Sequence, residues 1–345
     1  MGTAMKSSTG LSLLFFLASF QLSLAAEPGV EIEKDRVTLQ NGDAIRAVIV
    51  PSMGGELSGL SMRFDGDWHE LLYRALDYEK RPGWRGKAPL LWPATGISVI
   101  KKSGEAGYLL DGLPYDMPFH GFARFSSWQV VGTEQTTEFA ALTLALHDDA
   151  NTRRFYPFGF TLQVEYRLDN EKLRLIYRVD ADPGNDRDMP FSIGNHITFR
   201  IPLIPGSNPG DLRFENELPD LLLRGEDKAF SGVVEPSPYT GTHRLASLPH
   251  RQAVSLGIDS SVARFTMNDP SGLSLELVQK SQWLPSGPLI RFNLWADMEE
   301  GFFSPEPWVG TQNSLNTGAG LLRLSPGQSW EWTIDIIPFT GEPIK

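Results

Sequence analysis

Three segments of this chain set groups that bind ligands or move protons beside aromatic residues. Between Tyr108 and Trp128, His120 and Arg124 stand four residues apart across a bend containing Gly121, so one loop can aim both at one ligand. The run Phe191-Ser-Ile-Gly-Asn195-His196-Ile-Thr-Phe199 places an asparagine and a histidine inside a largely apolar strand. Near the C-terminal end, Glu306 lies between Pro305 and Pro307 and is followed by Trp308. An imidazole and a carboxyl are side chains that exchange protons in acid–base catalysis. Each residue also has a plain structural use: a strand histidine can donate to a backbone carbonyl, an asparagine can cap the backbone, and a glutamate between prolines can sit in a solvated turn. Singly, none fixes a function. The six histidines, His69, His120, His147, His196, His243 and His250, show no close zinc-type spacing. Scattered acidic residues define no calcium site, so no metal is expected.

The elements that must hold these groups read as strands. From Phe160 the sequence Phe-Thr-Leu-Gln-Val-Glu-Tyr-Arg-Leu alternates apolar and polar residues, the period of a strand with one buried face. Asp169 to Lys172 makes a turn, and Leu173 to Val179 returns as the hairpin partner. Similar runs occur at 44–50, 127–131, 139–146, 273–278, 289–295 and 330–337, and no convincing amphipathic helix exceeds two turns. With 33 glycines and 25 prolines punctuating short strands, the fold class is all-β, a large antiparallel β-sandwich or barrel. The proline-rich stretch 202–238 reads as a long surface excursion rather than a boundary, so residues 26–345 are expected to form one domain.

Residues 1–25 read as a secretory signal peptide: Lys6, the uncharged stretch from Leu11 to Phe20, then Ser23 and Ala25 as small cleavage-site residues. That apolar run falls short of the about 20 residues of a membrane span, although an uncleaved anchor is the alternative reading. An exported protein, periplasmic or secreted, is therefore expected, with no membrane attachment after cleavage. It contains no cysteine, so its stability must come from buried apolar surface rather than disulfides. The formal net charge of −11 argues against nucleic acid as a partner, which would require a basic patch.

Together, and in order along nearly the whole mature chain, these segments resemble the galactose mutarotase family, the aldose 1-epimerases and their hexose-phosphate relatives. The likeness includes Ile49 to Leu60 with Pro51, Gly54 and Gly55, then Glu70-Leu-Leu-Tyr73, and Pro89-Leu-Leu-Trp-Pro93 with Gly96. It continues through His120-Gly-Phe-Ala-Arg124 with Trp128, Tyr156-Pro-Phe-Gly-Phe160 and His196, and ends with Glu306-Pro-Trp308 and Leu324 to Trp330. The resemblance implies a galactose mutarotase-like supersandwich that interconverts the α and β anomers of an aldose. It implies His196 as general acid at the ring oxygen and Glu306 as general base at the anomeric hydroxyl, with no cofactor. Opening a pyranose removes a proton from O1 and supplies one to O5, so such a site needs an acceptor and a donor on opposite sides of the C1–O5 bond. On this reading Glu306 titrates near the usual carboxyl value and His196 near 6.5. His120 and Arg124 are implied as sugar binders, Trp308 and Phe122 as an apolar wall for a sugar face, and Asn195 as an orienting group.

Two positions depart from the family pattern. Gly96 is followed by Ile97 where an arginine is common, leaving Lys101 or Lys102 as substitutes, and the family's sugar-binding aspartate has no clear counterpart around Leu248 to Gln252. A free aldose is the expected partner of a monomer or weak homodimer. A phosphorylated hexose, to which the cluster Arg81, Arg85 and Lys87 points, fits an exported acidic chain less well. Two other functions stay open: a noncatalytic carbohydrate-binding protein, consistent with both departures, and a glycoside hydrolase or polysaccharide lyase.

Overall fold

The structure, a computed structural model, describes residues 1–2, 27–74, 87–100, 104–282 and 289–341. The signal-peptide reading and Lys101, Lys102, Arg81 and Arg85 fall outside these residues, apart from positions 1–2. No helix among the described residues is long and apolar enough to cross a membrane.

The alternation seen in the sequence becomes strands at the expected places. Phe160–Leu168 and Leu173–Ala181 form an antiparallel hairpin. Its turn is closed by Asp169 Oδ1, which accepts from the backbone N–H groups of Glu171 and Lys172. One face of each strand is buried, with Phe160, Leu162, Val164, Tyr166 and Leu168 inside. Among the described residues the helices are single turns, Thr152–Phe155 and Ser314–Thr317, plus short 3-10 pieces.

Among the described residues the strands assemble into a nine-stranded and an eight-stranded antiparallel sheet, preceded by a five-stranded meander from Gly29–Glu33 to Asp67–Glu70. The two larger sheets pack face to face through aromatic contacts. Phe265 of the nine-stranded sheet lies 5.4 Å from Phe292 and 5.9 Å from Phe303 of the eight-stranded sheet, measured between ring centroids. Tyr177 Oη of the former accepts at 3.0 Å from Asn195 Nδ2–H of the latter. This is the all-β antiparallel sandwich expected from the periodicity.

The segment 202–238 departs from its expected character. It carries strand Arg213–Asn216 into the larger sheet and strands Asp220–Arg224 and Phe230–Pro236 into the smaller one, so it is woven through both layers rather than lying over the surface. Buried Asp269 secures its start by accepting from Leu203 N–H and Ser207 Oγ–H. These strands are short and stand among prolines, too brief for a period-2 pattern to mark them.

Candidate active site

The eight-stranded sheet builds its cavity wall from register. Strands Ile290–Asp297 and Phe302–Val309 pair so that Arg291 faces Trp308 and Asn293 faces Glu306, while Ser255 on Val254–Ile258 faces Asn293. Because side chains alternate, Arg291, Asn293, Trp295, Glu306 and Trp308 share one sheet face. On the other flank of Phe302–Val309, pairing runs at Phe302 and Phe303 and again at Trp308 and Val309. It lapses across the stretch with Pro305 and Pro307, which have no N–H to donate. His196, Ile197 and Thr198 fill that lapse between the short strands Ile193–Asn195 and Phe199–Arg200. The proline-flanked glutamate is therefore a fully buried strand residue, not a turn residue.

Two glycines make room for this wall. A Cβ on Gly194 would lie 2.7 Å from Trp308 Cδ1, and one on Gly96 would lie 2.4 Å from Gln312 Cγ. Gly96 also binds the His120 loop: its N–H donates to His120 Nδ1 at 3.0 Å and its carbonyl accepts from His120 N–H at 2.9 Å. With Nδ1 an acceptor, a neutral His120 carries its proton on Nε2. His120 adopts φ +66°, a strained conformation for a non-glycine residue that the reciprocal bonds hold in place.

The resulting cavity measures about 270 Å³ and is lined by His120, His196, Glu306, Trp308, Asn293 and Gln312 among others. Its size sits at the small end of ligand pockets, which begin near roughly 300 Å³. At its base His196 Nε2 stands 3.5 Å from Glu306 Oε1. The carboxyl accepts from Asn293 Nδ2–H at 2.9 Å and Trp308 Nε1–H at 3.1 Å. Thr198 Oγ1 lies 3.4 Å from His196 Nδ1 and accepts from Ser304 Oγ–H at 2.9 Å, bracing the imidazole from behind. The rings of His120 and His196 meet edge to face at 5.5 Å, as do those of His120 and Trp308.

Burial sets the proton affinities. Loss of water pushes the Glu306 carboxyl up to about 8, against the opposing pull of Asn293, Arg224, Arg291 and Trp308. The same loss pushes the His196 imidazole down to about 3 and holds His120 well below its ordinary value. These positions replace the unperturbed carboxyl and imidazole expected from sequence: both groups prefer their neutral forms. The carboxyl and the imidazole stand side by side at the cavity base.

His120, His196, Glu306 and Trp308 thus converge on one cavity, whereas three other sequence candidates do not line it. Phe122 is turned into the core, edge-on to Trp92 at 5.6 Å and beside Tyr156 and Phe160, so it forms no wall. Asn195 points to the opposite side of its strand from His196, donating to Ala88 O and meeting Tyr177 Oη. Arg124 donates to Phe119 O at 2.7 Å and lies over the Phe125 ring, tying down the loop that carries His120. Burial lowers its guanidinium to about 10.

Several cavity groups escaped the sequence reading. Ile97 lines the cavity where the family pattern has arginine, and positive charge arrives instead on Arg224, whose Nη2–H donates to Asn293 Oδ1 at 2.6 Å. Arg291 sits 4.3 Å over the Trp308 ring and donates to Gln312 Oε1 at 2.9 Å. The signal for Arg291 and Asn293 was present: polar residues two apart in Ile-Arg-Phe-Asn-Leu-Trp share a face of an otherwise apolar strand. Around Leu248 to Gln252, where an aspartate was sought, the structure instead gathers His250, Asp297 and Glu299, with ligand atoms within 4.8 Å of one another. Arg251 donates to Asp297 at 2.5 Å and to Glu299 at 3.3 Å, so a guanidinium already balances those carboxylates.

Comparison with known proteins agrees with this architecture. Protein LacX (chromosomal) of Lactococcus lactis subsp. lactis is 26% identical over 310 residues, spanning 84% of this chain and 90% of that protein. A galactose mutarotase-like protein from Clostridium acetobutylicum superposes with a TM-score of 0.73 at 18% identity, covering 92% of this chain and 99% of the other. A galactose mutarotase related enzyme from Lactobacillus acidophilus gives 0.71 at 21% identity, covering 90% and 99%. Both structural likenesses speak to fold. The family model for aldose 1-epimerase matches residues 35–209, a span that holds His120 and His196, and the chain belongs to the aldose 1-epimerase family.

Proposed function

We propose that this protein is an aldose 1-epimerase that opens and recloses the ring of a monosaccharide with Glu306 and His196 as its proton-transfer pair. The observation that carries the reading is the 3.5 Å approach of His196 Nε2 to Glu306 Oε1 at the base of a cavity of about 270 Å³. O1 and O5 are substituents of the same carbon, so two neighbouring groups can serve both. Glu306 as carboxylate takes the proton from O1–H, the C1–O5 bond breaks as C1=O1 forms, and O5 takes a proton from His196. Rotation about C1–C2 presents the other aldehyde face, and the same transfers in reverse close the ring to the opposite anomer. The pair ends each cycle with the protons it began with. His120 Nε2–H and Gln312 are placed to bind hydroxyl groups, and Trp308 supports a sugar face.

The pair contains one proton in either of two arrangements, neutral carboxyl with neutral imidazole or carboxylate with imidazolium. Burial favours the first at rest, and Arg224, Asn293 and Trp308 favour the carboxylate once a polar ring fills the cavity. A glycosidase would require a second carboxylate about 5 to 10 Å from the first. Among the described residues, Glu306 is the lone carboxylate on the cavity wall, which favours isomerisation over hydrolysis.

A panel of freshly dissolved pure anomers, followed by polarimetry with and without the protein, tests the reading. Glu306→Gln and His196→Asn are expected to lower the rate roughly 100- to 10,000-fold each while sugar affinity persists. A wild-type protein that binds sugar but accelerates none of the panel would instead be a binding protein.

A further inference from the structure

We infer that the natural aldose carries an anionic substituent, a carboxylate or phosphate, that is held by Arg224 and Lys228 of the cavity wall. The inference rests on the epimerase reading for the reaction, but its charge argument stands on the cavity itself. The chain as a whole has a formal net charge of −11, yet among the described residues the charged lining side chains besides Glu306 and the histidines, Arg224 and Lys228, are both cations. Arg291 adds a third positive charge directly behind Trp308. Global charge favours a neutral sugar, whereas the local field has the opposite sign, and it is the local field that a bound molecule meets.

The donors also outnumber the protein's acceptors. Glu306 is occupied by Asn293 and Trp308, Arg224 uses Nη2 on Asn293, and Gln312 spends Oε1 on Arg291. Without a partner among the described residues are the buried nitrogens Arg224 Nε, Gln312 Nε2 and, behind them, Arg291 Nε and Nη2. Sugar hydroxyls can satisfy isolated donors. Two cations lining one cavity match an oxyanion better, through charge-assisted bonds.

Both cations are placed by backbone structure. The pairing of Asp220–Arg224 with Phe230–Pro236 shifts register between Leu222 and Arg224, a bulge of the kind that re-aims a side chain. Lys228 stands at φ +62° in a turn fixed by Gly225 N–H to Ala229 O and Lys228 N–H to Gly225 O. Its acidic neighbours Glu226 and Asp227 do not line the cavity, and Asp227 Oδ1 is engaged by Ala229 N–H.

Calorimetric titration of the full-length protein with matched sugars tests this: galactose against galacturonate, glucose against glucuronate, and glucose against glucose 6-phosphate. The anionic member of at least one pair is expected to bind about tenfold more tightly or better, an advantage that shrinks in about 0.5 M NaCl. Lys228→Glu should erase the preference and Lys228→Met should reduce it; both change an exposed turn residue. The uronate and phosphate arms separate the two anion sources. Equal affinity within every pair, or a preference that survives Lys228→Glu, overturns the inference. Polarimetry on the same sugars keeps the two readings apart. Acceleration of a neutral sugar without any anionic preference removes this inference and leaves the epimerase, whereas anion-selective binding without acceleration of any sugar does the reverse.

Discussion

At the scale of single residues, Glu306 is the group whose chemistry and stability pull apart. The pair formed with His196 holds one proton between about pH 3 and about pH 8, the span over which one donor and one acceptor coexist. The rate of anomer exchange is therefore expected to hold through neutral pH and to fall as pH rises past about 8, when the pair loses that proton. A rate that keeps climbing from pH 8 to 10 would mean that the carboxylate alone sets it. The same raised affinity has a stability consequence. A carboxyl lifted from 4.5 to about 8 by folding stabilises the native state fully below 4.5, and that contribution is lost as pH rises through 8. Glu306→Gln is permanently neutral, so its melting temperature should gain on wild type between pH 5 and pH 9. The gain is worth up to a few kcal/mol, at about 1.4 kcal/mol for each tenfold change in proton affinity. A melting difference that does not change with pH would show that the carboxyl does not titrate on unfolding. The residue types were legible in the sequence, because histidine and glutamate stood in apolar and proline-bound settings. Their proton affinities were not, since burial belongs to the fold and not to the motif.

At the scale of elements, register decides which residues can act. His196 faces the cavity and Asn195, the last residue of the strand before it, faces the core because successive residues of an extended backbone point to opposite sides. Choosing between them from sequence requires knowing which face of the sheet is lined by the cavity. Phe122 and Arg124 follow the same logic, since their loop supplies His120 to the site and its remaining side chains to packing. The strands themselves were readable where alternation was clean, as in Phe160–Leu168, and unreadable from 202 to 238, where the strand that brings Arg224 is five residues long and carries three leucines in a row. Gly194 tests whether the wall depends on this close strand contact. Its missing Cβ lets Trp308 pack 2.7 Å from where that atom would be, so Gly194→Ala must displace the indole that donates to Glu306. We expect a loss of about 1–3 kcal/mol in denaturant unfolding and a clear fall in anomerase rate. Wild-type stability with wild-type rate in this variant would show that Trp308 moves aside freely and does not position the carboxyl.

At the scale of the whole molecule, a cysteine-free chain depends on the surface buried between its sheets. We propose that the mature chain begins near Ala26, after export, and folds as one domain. Intact-mass measurement of the protein recovered from its native host should find a product lacking residues 1–25, and a full-length mass would point to the uncleaved alternative. The single-domain proposal is tested where the two large sheets meet. Phe265 is fully buried and stacks on Phe214 within its own sheet while reaching Phe292 and Phe303 across the interface. Phe292 lies between Arg291 and Asn293, and Phe303 lies three residues before Glu306, so the strands that carry the cavity are packed on this joint. Phe265→Ala removes a ring from a dense interior and leaves a cavity, a change worth about 3–5 kcal/mol. If the sheets form one cooperative unit, that loss must appear in every probe at once: far-ultraviolet dichroism, tryptophan fluorescence and anomerase activity should all shift to the same lower midpoint. Activity lost well before the bulk strand signal would mean that the eight-stranded layer unfolds by itself, and the chain would then be two cooperative units sharing one sandwich.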